Sequence, residues 1–219
     1  MAFGLTIEKV QEAVEWGYEK SVNGLPGMGT AIELASDYMK QGGSVEEQID
    51  SLIRWQNTKA ASAGFVTSLG GAITLPVAIP ANIASTLYVQ MRMIAAIAHI
   101  SGHDVTDDRV KTLIVVCLTG NAANEVLKDT GIMLSTKLAT TAIKKISGKT
   151  ITRINKAVSF RLLTKFGSTG VINLGKMVPI LGAVVGATFD GVTTNLIGNK
   201  AKEIFWDNKS MFEDLVDVN

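Results

Sequence analysis

Apolar residues recur at steps of three and four along most of this 219-residue chain, and no stretch alternates apolar with polar side chains for more than a few positions. A strand needs a period of two, so the pattern admits helices and leaves no place for a sheet as the main element. The expected fold class is all-α: a compact multi-helix domain with glycine-rich helix breaks, read as a single domain over residues 1–219. Hydrophobic residues make up 47% of the chain and charged ones 19%, which supplies a real core and excludes disorder.

Punctuation places the helices. Residues 5–22 carry Ile7, Val10, Val14, Trp16 and Tyr18 with Glu8, Glu12, Glu15 and Glu19 between them, a surface helix with an acidic face. Asn23-Gly24-Leu25-Pro26-Gly27 turns the chain into a second helix over about 30–40. Gly42-Gly43 stops that helix, and Ser44-Val45-Glu46-Glu47 reads as a capping box, so a third helix starts at Val45 and runs past Trp55 towards Gly64. Residues 81–100 form the next, with Ile83, Leu87, Met91, Ile94 and Ala98 on one core-facing stripe and Gly102 as its stop. Thr106 before Asp107-Asp108 reads as an N-cap opening a long helix to about Lys145, with Gly120 and Gly131 as weak points. An amphipathic helix over 150–165, closed by Gly167, and a last one reaching Phe205-Trp206 complete the expected set. The core is expected to draw on Phe65, Leu87, Met91, Ile94, Leu113, Val116, Ile180 and Val184.

From Ala60 to Met91 the chain runs 32 residues without a charge, more than the roughly 20 that cross a bilayer as one helix. Gly64, Gly70, Gly71, Pro76 and Pro80 interrupt it, and a spanning helix would have to satisfy in hydrocarbon the backbone groups both prolines free, at several kcal/mol for each group left unpaired. A buried or interfacial helix, loop, helix unit is the better expectation. Near the start, Glu8, Lys9 and Glu12 stand where the apolar core of a signal peptide would lie, so the expected location is cytoplasmic, peripheral at the inner membrane face. The single Cys117, inside an apolar run, reads as a small buried hydrophobe.

The charge map is the strongest functional clue. Residues 1–129 hold 9 basic and 14 acidic side chains, residues 130–189 hold 9 and none, and residues 190–219 hold 3 and 6. The acid-free segment carries Lys137, Lys144, Lys145, Lys149, Arg153, Lys156, Arg161, Lys165 and Lys176. One reading is a solvated face neutralised by the acids of the first helix. The sharper one is a surface that meets an anionic membrane lipid or a membrane protein, since each basic residue near an anionic leaflet contributes about 1 kcal/mol. Nucleic acid is not expected as a partner, because the segment has few stacking residues, Phe160 and Phe166 among them, and no binding-module motif accompanies them.

Catalytic chemistry is hard to find. His99 and His103 have the four-residue spacing of two helical zinc ligands, but Gly102 ends the helix between them, and only Asp104 stands near as a third ligand. No GxSxG elbow, phosphate loop or strand-linked GxGxxG is present, so no metal and no cofactor is expected. Asn82 and Arg92 are the polar members of an apolar helix, and Asp190 follows an apolar run; with His99 and His103 they are the candidate ligand-site residues. The reading these observations favour is a non-enzymatic accessory protein attached peripherally through segment 130–189. A lipid or small apolar ligand binder, or an enzyme with an unrecognised site, is the alternative.

Two patterns carry a family resemblance. Gly64-Phe65-Val66-Thr67, Gly70-Gly71, Thr74-Leu75-Pro76, Ile79-Pro80-Ala81 and Gln90-Met91-Arg92-Met93-Ile94, leading to Ile97-Ala98 and Gly102, resemble the central pattern of the EcsC protein family. Val178 to Gly186, followed by Asn195, Ile197-Gly198, Ala201 and Phe205, is similar to that family's C-terminal signature. The resemblance spans roughly 45–206. It implies a bacterial protein on the cytosolic side, in a family named from a neighbour of an ABC transporter, and it carries over no catalytic residues.

Overall fold

The computed structural model describes residues 6–60, 81–132, 143, 146–166 and 185–207, with side chains left out at 59–60, 81–83 and 185–192. Its elements are α1 (Ile7–Asn23), α2 (Ala31–Met39), α3 (Val45–Ala60), α4 (Ala81–Ile100), α5 (Asp108–Cys117), a 3₁₀ turn (Gly120–Ala122), α6 (Ala123–Asp129), α7 (Gly148–Phe166), α8 (Val185–Lys202) and a π-helical turn (Glu203–Asp207). The described residues contain no strand, only an isolated bridge between Leu25 and Met28, and the fold is all-α.

Local chemistry explains most boundaries. Thr30 and Glu33 close a capping box on α2, with Glu33 N–H donating to Thr30 Oγ1 at 3.0 Å and Thr30 N–H to Glu33 Oε2 at 2.7 Å. Ser44 and Glu47 do the same on α3, at 3.2 and 2.8 Å. At the end of α4, Gly102 adopts φ 79° while its N–H reaches His99 O and the His103 N–H reaches Ala98 O, the paired bonds of a Schellman stop.

Two boundaries differ from the sequence expectation. Asp104 accepts from both the Thr106 N–H (2.9 Å) and its hydroxyl (2.7 Å), so Thr106 is drawn backwards and Asp107 caps α5 instead, accepting from Arg109 N–H at 2.7 Å. The long helix expected after it is divided. Gly120 and Gly131 take φ 58° and 84°, left-handed values that no continuous helix tolerates, so α5 ends at Cys117 and α6 is a separate short helix.

Helix α4 is the hub, packed by α1, α2, α3, α5 and α8. Leu87, Met91, Ile94 and Ala98 are buried as the stripe predicts, and so are Tyr88, Val89, Met93 and Ile97 on its other faces. A helix apolar all round belongs inside a protein or a membrane, and here other helices enclose it. No helix among the described residues is long and apolar enough to cross a membrane. Of the expected core, Leu87, Met91, Ile94, Leu113 and Val116 are buried, whereas Phe65, Ile180 and Val184 lie outside the described residues, as do the glycines and prolines of segment 61–80.

Three seams fix the bundle. Trp16 of α1 meets Tyr88 of α4 with ring centroids 6.4 Å apart, and the Tyr18 hydroxyl donates to the Val105 carbonyl. Gly198 lets α8 approach α3 so closely that a Cβ there would lie 2.9 Å from Ile53 Cγ1. One turn on, Lys202 of α8 bonds Glu46 and Asp50 of α3, each at 2.8 Å, with its own side chain only 14% exposed. Burial pushes its ammonium pKa down, but the hydrogen bonds and charges of Asp50 and Glu46 more than reverse this and leave it raised.

Candidate functional site

Ile154, Val158 and Leu162 recur at steps of four and form the buried face of α7, which packs on α5, α1 and α6. Ser147 Oγ, just before the helix, accepts from Thr150 N–H at 3.2 Å and supplies its cap. Lys149, Arg153, Lys156 and Phe160 recur at steps of four, three and four. At 3.6 residues per turn that stripe lies about 170° round the helix from the buried one, so it points straight away from the core. All four are exposed, Phe160 by 57% of its surface. Among the described residues, none of the three basic side chains takes part in an ion pair.

The fold disfavours this placement. Lys149 stands in the first turn of α7, which holds no acid, so its charge faces the positive end of the helix dipole. Lys149–Arg153 and Arg153–Lys156 are like-charge neighbours at four and three residues, each pair costing a helix about 0.2–0.5 kcal/mol. Two acids of α1 are engaged elsewhere, Glu15 with Lys111 of α5 at 2.5 Å and Glu19 with Lys20 at 3.1 Å, and Glu8 and Glu12 form no ion pair with the stripe among the described residues.

Helical rotation separates the other basic residues from the stripe. Arg161 pairs with Glu125 of α6 at 2.8 Å, and Lys165 donates to the Leu118 carbonyl at 3.4 Å with its ammonium 5.3 Å from the Phe166 ring centroid. Both fasten α7 to the body. Lys137, Lys144, Lys145 and Lys176 lie outside the described residues.

The candidate ligand-site residues with described side chains, Arg92, His99 and His103, have separate surroundings. His103 is buried, its Nε2 3.0 Å from the Phe205 carbonyl and its ring 5.3 Å from that of Phe205, so it anchors the π-helical turn. His99 remains half-buried on the last turn of α4, on the far side of the Schellman stop. Arg92 donates from Nε to the Thr30 carbonyl at 3.4 Å, tying α4 to the cap of α2. Asn82 and Asp190 lie on α4 and α8 at positions without described side chains. No group of three His, Cys, Asp or Glu among the described residues could hold a metal ion.

A cleft of about 450 Å³ opens between α1, α5 and α7, with Glu15, Asp108, Lys111 and Asn155 around apolar Val14 and Ile151. Its charged lining is two acids, Glu15 and Asp108, against one base, Lys111. Burial first, then Glu15, Asp108, Asp104 and Asp107, push the neighbouring Tyr18 hydroxyl up to about 12. Charge on the two sides of α7 is therefore of opposite sign, acidic by the cleft and basic on the outer stripe. The sequence marks the outer bases but gives no sign of the cleft, whose walls come from three separated helices, or of Phe160 as their neighbour in line.

The model of the EcsC protein family matches residues 8–206. No curated protein and no solved structure matches the chain. With a family match over nine-tenths of its length, and the all-α fold its helical periodicity requires, the chain belongs to the EcsC protein family.

Proposed function

We propose that this protein is a non-enzymatic accessory protein that associates peripherally with the anionic cytoplasmic face of a membrane, through the outer face of α7. The observation that carries the reading is the outward stripe of Lys149, Arg153 and Lys156, which forms no ion pair among the described residues and stands on a helix that its charges destabilise. A negative external surface is the condition under which such an arrangement becomes favourable. At about 1 kcal/mol per basic residue, three give about 3 kcal/mol, enough for reversible attachment and too little for a permanent one. Lys137, Lys144 and Lys145 belong to the same acid-free segment and add to this on the same reading.

The test is co-sedimentation of the purified protein with vesicles of phosphatidylglycerol and phosphatidylcholine, beside vesicles of phosphatidylcholine alone, over a range of salt. Binding to the anionic vesicles only, weakening as the Debye length falls below about 8 Å, is the expected result. Changing Lys149, Arg153 and Lys156 together to Gln should lower binding while raising stability by about 0.4–1 kcal/mol, because these side chains make no ion pair among the described residues and two like-charge pairs are relieved. Equal binding to neutral and anionic vesicles, or full binding by the triple variant, removes the proposal.

A further inference from the structure

Phe160 continues the basic stripe of α7 by one more helical step, and with 57% of its surface exposed it is the most exposed of the large hydrophobic residues described. From Lys149 to Phe160 the stripe runs 11 residues, about 16 Å along the axis at 1.5 Å per residue. It is a straight, convex ridge, opposite the helix's own core. Resting on the membrane reading above, we infer that the occupant of this face is the lipid surface itself, with α7 lying parallel to the bilayer plane, Lys149, Arg153 and Lys156 among anionic headgroups and the Phe160 ring inserted at the interface.

Charge and shape both favour lipid over a protein partner. The three bases match an anionic surface without needing fixed positions for the opposing charges, whereas an acidic protein would have to present carboxylates at matching steps. A stable protein interface buries about 800 Å² on each side, and one ridge of four side chains offers less. Basic side chains attracted to anionic headgroups, with one aromatic adding apolar burial, can in contrast supply reversible attachment without a large interface. Phe160 sits at the end of the stripe away from Lys149, so the one apolar insertion is at that end and the headgroup contacts run back along the stripe.

The experiment places an environment-sensitive fluorophore at position 160 through Phe160→Cys. Cys117 is fully buried and leaves the new thiol as the reactive one. A second label at Met39→Cys, exposed on α2, serves as the control. With phosphatidylglycerol-containing vesicles, the label at 160 should brighten and be quenched by lipids carrying nitroxide groups, and the label at 39 should do neither. Independently, unlabelled Phe160→Ala should bind these vesicles about tenfold more weakly than the wild type, with its salt dependence kept, and Phe160→Leu should recover most of the loss. Should Phe160→Ala unfold, the quenching arm still decides.

Salt-sensitive binding with the 160 label left in water overturns the insertion while the membrane reading stands. Binding to native membranes that protease treatment abolishes, without binding to pure lipid vesicles, assigns the face to a membrane protein and overturns the lipid occupant. Absence of binding to either removes both.

Discussion

Gly198→Ala offers a test of the closest seam in the bundle. An added Cβ would stand 2.9 Å from Ile53 Cγ1, 3.0 Å from Cγ2 and 3.3 Å from Cδ1, all inside the 3.5–4.0 Å optimum for carbon pairs. Ile53 cannot swing aside: it is 3% exposed on α3 and β-branched, so its χ1 is held by its own helix. Alanine in place of glycine favours the helical state by about 1 kcal/mol, while overpacking of this kind costs about 1–3 kcal/mol, and α3 and α8 must move apart along a seam that includes Leu52, Ile197 and Ala201. The net expectation is a loss of about 1 kcal/mol. In an Ile53→Ala background all three opposing atoms are gone. The same Gly198→Ala change should then stabilise by about 1 kcal/mol, reversing its sign and giving a coupling of about 2 kcal/mol, within the range of directly touching residues. Urea unfolding followed by circular dichroism on the four members of the cycle, at constant m-value, measures it. An effect of Gly198→Ala that is the same in both backgrounds would refute the packing argument.

The Lys202 clamp should respond unequally to its two sides. Lys202→Met frees Glu46 and Asp50, which are 59% and 45% exposed and re-enter water, so urea unfolding should show a loss near 1 kcal/mol; Glu46→Gln with Asp50→Asn strands a cation that is 14% exposed and should cost about 2–3 kcal/mol. All three tyrosines are held above their ordinary range by burial first, Tyr18 and Tyr38 up to about 12. The folded state therefore keeps a proton that the unfolded chain releases near 10, and stability falls as pH rises from about 10 towards 12; the urea midpoint and tyrosinate absorbance should move together over that window. Cys117 has no exposed surface and burial pushes its thiol pKa up, so a thiol reagent should label it only at the rate of unfolding, and rapid labelling of native protein would contradict the buried position.

Signals written within one helical turn were legible in the sequence. Ser44 and Glu47 are three apart, the spacing the two capping bonds need, and Gly102 stands where a left-handed residue must end α4. Signals depending on competition were not. Thr106 has the chemistry of a cap, yet Asp104 two residues earlier captures both its groups. Apolar periodicity runs through Gly120 and Gly131, so the two glycines mark the weak points at which the helix divides, while the backbone angles that end it are not written in the pattern. The one-sided stripe on α4 underestimates a helix walled on every side, since periodicity cannot count neighbours. For the candidate site, the acid-free segment was visible as composition, but a residue sum carries no direction. Lys156 and Arg161 are five apart, about 140° round the helix, which sends one outwards and the other to Glu125. His99 and His103 look paired in sequence, and the glycine turn between them sends His103 to Phe205.

Because α8 closes against α3 through contacts 152 residues apart in sequence, the two walls of this seam leave the ribosome at very different times. At about 5–20 residues per second, some 8–30 s separate them, against roughly a microsecond for a helix to form. During that interval Ile53 of α3 lacks the Gly198 backbone it packs against, and α4 lacks one of its five neighbours. Helices α1, α2 and α4 can assemble meanwhile, since their contacts are already synthesised. The nascent chain therefore passes through a state with a finished half and an open hydrophobic groove, and chaperone engagement should be concentrated there, ending as the Lys202 ammonium emerges to latch onto Glu46 and Asp50.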